Sequence, residues 1–107
     1  VDPAPLPDQV LVRLHRLAEL QIELLPLVDL PRYVVFERRG YAALVERTEE
    51  GFGKVGTAGR LFPQGIAPLV WRGERAVFLI KGVEHAASPE QVEELRQFQR
   101  DLQEALR

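Results

Sequence analysis

Between Gln9 and Leu25 the apolar residues recur with a helical period. Val10, Leu11, Leu14, Leu17, Ala18, Ile22, Leu24 and Leu25 share one broad arc at about 100° per residue. Asp8 stands where a carboxylate can accept the unpaired N–H groups of a first turn, and Pro26 where a helix must stop. The pattern predicts a helix from Gln9 to about Leu25, preceded by an extended, proline-bearing lead-in over residues 1–7. Val12 and Leu20 fall outside the arc, among Arg13, Arg16, Glu19 and Glu23. This helix is therefore more apolar than one core-facing stripe requires. Pro26 and Pro31 then bound an extended connector.

From Tyr33 the period changes. The runs YVVFER and YAALVER are rich in β-branched and aromatic residues and flank Arg39-Gly40, which marks a hairpin. Thr48–Gly51 reads as the next turn, and FGKVG as a short strand of weak propensity. The stretch TAGRLFPQG reads as a loop. IAPLVW and RAVFLIK form a second hairpin around Arg72-Gly73-Glu74. Pro68 cannot donate to a ladder, which predicts an edge strand or a bulge. Ala76, Phe78 and Ile80 point one way and Val77 and Leu79 the other, so both faces of that strand need cover.

The last element has the clearest signature. Ser88-Pro89-Glu90-Gln91 is a capping box with proline at the first helical position, and Val92, Leu95, Phe98, Leu102, Ala105 and Leu106 form a single stripe after it. The order helix, about five strands, helix predicts a single α+β domain over residues 1–107. Both helices are expected on one face of an antiparallel sheet. The other face is then left to be covered by something else. Val34, Phe36, Leu44, Val77 and Leu79 are expected on it and, with Val12 and Leu20, form the expected interaction surface.

Composition narrows the chemistry. The 107 residues contain no cysteine, which excludes disulfides, thiolate catalysis and thiolate-held zinc. A net charge of −2 gives no overall pull toward nucleic acid or an anionic membrane. No apolar run approaches the ~20 residues of a membrane span, and no targeting segment is seen, so a cytoplasmic protein is expected.

The segment GFGKVGTAGR, Gly51 to Arg60, is the first candidate site. Gly51, Gly53 and Gly56 match a dinucleotide-binding spacing, but no helix follows to hold a pyrophosphate, and Lys54 is followed by Val55 rather than Ser or Thr. A turn and a glycine-thinned strand explain the segment. The alternative is a small anion or ligand site using Lys54, Thr57 and Arg60, joined by His85 from the loop before the last helix. His15 and His85 lack a metal-ligand spacing, and no cofactor or metal is expected.

The one serine, Ser88, is already used as a cap, and the carboxylate pairs Glu49-Glu50 and Glu93-Glu94 belong to solvated positions. Arg32, Arg38, Arg39, Arg47, Lys54 and Arg60, interleaved with Tyr33, Phe36 and Tyr41, raise nucleic-acid binding as a further alternative. Glu37, Glu46, Glu49 and Glu50 leave that segment only +2. The expectation is a non-enzymatic interaction domain that self-associates or joins a larger assembly.

Overall fold

The structure, a computed structural model, describes residues 8–26, 32–49 and 51–106. The expected lead-in over residues 1–7 and most of the connector after Pro26 lie outside the described residues, as do the side chains of residues 8–10 and hence the expected cap at Asp8.

Among the described residues the chain is α+β, with two helices and a seven-stranded antiparallel sheet. The order is α1 (Asp8–Glu19), β1 (Glu23–Pro26), β2 (Tyr33–Arg38), β3 (Tyr41–Thr48), β4 (Gly51–Phe62), β5 (Gly65–Arg72), β6 (Arg75–Ile80), β7 (Val83–Ala86) and α2 (Pro89–Ala105). Every strand pairs with its neighbour in sequence, so the sheet is a simple meander. Two-residue connections make this possible. Arg39-Gly40 and Lys81-Gly82 have positive φ at both positions, the geometry whose twist matches that of the flanking strands.

Three departures from the sequence expectation stand out, two of which add a strand each. The first helix stops at Glu19, not Leu25. Gln21 takes φ 62, its N–H donates to the Ala18 carbonyl, and the Ile22 N–H donates to the Leu17 carbonyl at 2.9 Å. This pair of bonds is a Schellman stop, sealed by the burial of Leu17 against Ile22. Glutamine replaces the usual glycine at the left-handed position, which hides the stop in the sequence. Residues released from the helix form β1, where Leu24 pairs with Phe36.

Second, the segment expected to be a loop before α2 turns at Lys81-Gly82 and adds β7. Third, the glycine-rich segment and the supposed loop after it are one twelve-residue strand, β4. Its glycines are steric necessities: a Cβ on Gly59 would run into the Ala67 carbonyl, and one on Gly56 would come within 2.9 Å of the Leu44 carbonyl. The strand reads as a loop because close backbone approach has removed its side chains.

Pro68 also needs correction, since β5 is an interior strand. Residues Gly65–Pro68 pair with β4 and Leu69–Arg72 pair with β6. Pro68 sits where the strand exchanges one partner for the other, a position suited to a residue without an N–H.

Both helices pack on the same side. Leu17 of α1 and Leu95, Phe98 and Leu102 of α2 share a core with Val34, Phe36, Tyr41, Ala43, Val45, Ala58 and Phe78. The Ser88 cap forms as the sequence predicts, with Gln91 N–H donating to its hydroxyl and the Gln91 side chain accepting from its backbone.

Candidate functional site

Strand alternation fixes which residues meet the helices and which do not. On β2, Val34 and Phe36 pair with Val45 and Ala43 beneath the helices, and Phe36 is completely buried. These two residues were expected on the uncovered face and are core residues instead. The phase was out by one: Val35, opposite Leu44, faces away from the helices and is itself buried. On β6 the expected alternation holds, with Phe78 in the core and Val77 and Leu79 turned the other way. Val77 is nonetheless buried and Leu79 half-buried. Of the two helix residues set apart by the sequence, Val12 is exposed and Leu20 packs against the core edge.

The uncovered face carries an apolar hollow of about 500 Å³. Val35, Leu44, Leu61, Ile66 and Pro68 line it, with Thr57 the one polar side chain and Gly56 and Gly65 in its floor. Val35, Leu61, Ile66 and Pro68 are absent from the surface expected from sequence, although the alternation of YVVFER and IAPLVW carries their phase.

The four candidate ligand residues do not converge. Lys54 is an exposed residue of β4. Thr57 lines the hollow, whereas Arg60 lies on the helix side, its guanidinium 4.9 Å from the Tyr41 ring centre. His85 stacks on Phe62 with ring centres 4.4 Å apart, and its neighbour Glu84 pairs with Arg72 at 2.6 Å. Among the described residues no group of three or more histidine, aspartate or glutamate side chains is placed to hold a metal. The clustered arginines are also divided: Arg38 of β2 is held by Asp101 at 2.9 Å and by the Leu20 carbonyl, and Arg60 of β4 is laid on Tyr41.

A second recess, of about 270 Å³, opens where the β2–β3 turn meets α2. Leu20, Gln21, Arg38, Arg39, Tyr41, Glu94, Gln97 and Asp101 line it. Tyr41 is its most unusual member. The residue is 2% exposed, and its hydroxyl is buried with no well-formed hydrogen bond among the described residues. Burial pushes the phenol pKa up. The Glu94 carboxylate adds to that shift and the Arg60 guanidinium opposes it, so both groups act on the hydroxyl without completing a hydrogen bond of good geometry.

Comparison with known proteins found no matching family, no matching curated protein and no matching solved structure. No helix among the described residues is long and apolar enough to cross a membrane.

Proposed function

We propose that this chain is a non-enzymatic interaction domain that self-associates, with the uncovered sheet face as its contact surface. The observation that carries this reading is the hollow itself: a concave apolar area lined by Leu44, Leu61 and Ile66 on the side of the sheet that no helix covers. A continuous apolar surface of this kind is costly to leave in water and is the usual mark of a contact surface. The absence of convergence among Lys54, Thr57, Arg60 and His85 weighs against the ligand-binding alternative. The pairing of Arg38 with Asp101 likewise weakens the nucleic-acid alternative.

Paired substitutions on the two sides of the fold test the choice of face. Leu44→Glu and Ile66→Glu place a charge in the hollow, and Val12→Glu places one on the outer side of α1. Self-association should be lost in the first two and kept in the third, with circular dichroism unchanged in all. Loss in Val12→Glu alone would move the contact to the helix side and refute the assignment.

A further inference from the structure

The Tyr41 recess lies on the helix side, away from the hollow, and its chemistry is of a different kind. Three observations meet there. A phenol hydroxyl is buried beside the Glu94 carboxylate and the Arg60 guanidinium without a well-formed hydrogen bond among the described residues, although phenylalanine would fill the same core position without that cost. Two side chains of opposite charge at the rim, Arg39 and Glu94, have no ion-pair partner among the described residues. The other charges nearby are engaged: Arg38 with Asp101, and Arg60 with the Arg39 carbonyl and the Tyr41 ring.

We infer that this recess binds a small zwitterion, a free α-amino acid. Its carboxylate would sit on the Arg39 guanidinium, its ammonium on the Glu94 carboxylate, and the Tyr41 hydroxyl would donate to the carboxylate. Charge pattern and size both select this class. A simple anion would be opposed by Glu94, and a simple cation by Arg39. The volume, about 270 Å³, lies just below the range of ordinary ligand cavities and leaves no room for a nucleotide. The Tyr41 hydroxyl is buried, so the ligand would reach it by displacing neighbouring side chains such as Glu94, an exposed residue of α2. Arg39 is presented by the turn itself, where its positive φ of 54° fixes the start of the side chain beside Tyr41.

The test is a titration of the ¹⁵N-labelled protein with each proteinogenic L-α-amino acid, and with acetate and methylammonium as half-ligands. At least one amino acid should shift the amide signals of Arg39, Gly40, Tyr41 and Glu94 saturably, and the half-ligands should bind far more weakly. Arg39→Gln and Glu94→Gln, both at exposed positions, should keep the fold and each weaken binding about tenfold, the loss of one charge-assisted contact. The inference is overturned if no amino acid gives a saturable shift, if acetate binds as tightly as the best amino acid, or if both variants bind like the parent. None of these outcomes depends on self-association.

Discussion

The backbone N–H of Ile22 donates to the carbonyl of Leu17 at 2.9 Å, and the side chains of these two residues are buried in the same core. This one contact ends the first helix, turns the chain toward the sheet and makes room for β1. It closes around Gln21 at φ 62. An L-residue pays roughly 1–2 kcal/mol to be left-handed, and glycine returns about 0.5–1 kcal/mol of that through its greater freedom when unfolded. Gln21→Gly should therefore stabilise the fold by about 0.5–1 kcal/mol in urea denaturation. No gain, or a loss, would mean that the Gln21 side chain contributes more than its backbone costs.

Gly59 should tolerate nothing larger than hydrogen. Its missing Cβ faces a backbone carbonyl, at Ala67, which cannot rotate away. Gly59→Ala should cost about 2 kcal/mol or more by overpacking. Gly53→Ala, whose new Cβ meets side-chain atoms of Thr48 and Glu46 rather than backbone, should cost clearly less. Thermal denaturation of the two variants side by side checks the order.

The Arg38–Asp101 pair ties the start of the β2–β3 turn to α2, and its side chains are only 15% and 17% exposed. Removing the carboxylate leaves Arg38 with the Leu20 carbonyl and its place over the Phe98 ring. Asp101→Ala should cost about 1–2 kcal/mol, between the values for exposed pairs and for buried charged hydrogen bonds. Glu93→Ala, which breaks the exposed pair with Arg100, should fall within about 0.5 kcal/mol of the parent. Chemical denaturation of both measures the contrast.

Tyr41→Phe should be neutral or stabilising by up to about 1 kcal/mol, because it removes a buried hydroxyl without a well-formed hydrogen bond among the described residues. It should also alter the alkaline limb of the stability curve. The folded-state pKa of Tyr41 lies above its ordinary value of 10.0, so the unfolded chain loses this proton first. The contribution is present below pH 10 and is lost as pH rises through the folded-state pKa. Stability measured against pH should fall less steeply above pH 10 in the phenylalanine variant than in the parent.

Local signals carried what local physics decides. The Ser88–Gln91 box places the start of α2, and the Arg39-Gly40 and Arg72-Gly73 turns place two hairpins, because each depends on residues close together in sequence. The α+β class followed from those signals. The full strand count did not, since β1 and β7 have four residues each, and the length of β4 was missed because it lacks the side chains that mark a strand. The first helix ran too far in the sequence reading because Gln21 occupies a position where glycine is the usual signal. For the uncovered face, Leu44 and Leu79 were legible from alternation, whereas Val34 and Phe36 were assigned to the wrong side because YVVFER is apolar in both phases. The recess at Tyr41 was not legible at all. It joins a turn in the first half of the chain to Glu94 and Asp101 on the last helix, a distance only tertiary packing can close.

Self-association is tested most directly by sedimentation equilibrium of the unmodified chain over a concentration series, at low and high salt. The mass should rise above 12.2 kDa as concentration increases. The rise should persist at high salt, because apolar contacts are not screened. A mass that stays at that of one chain up to high micromolar concentration would contradict the assignment of the uncovered sheet face as a surface for a second copy.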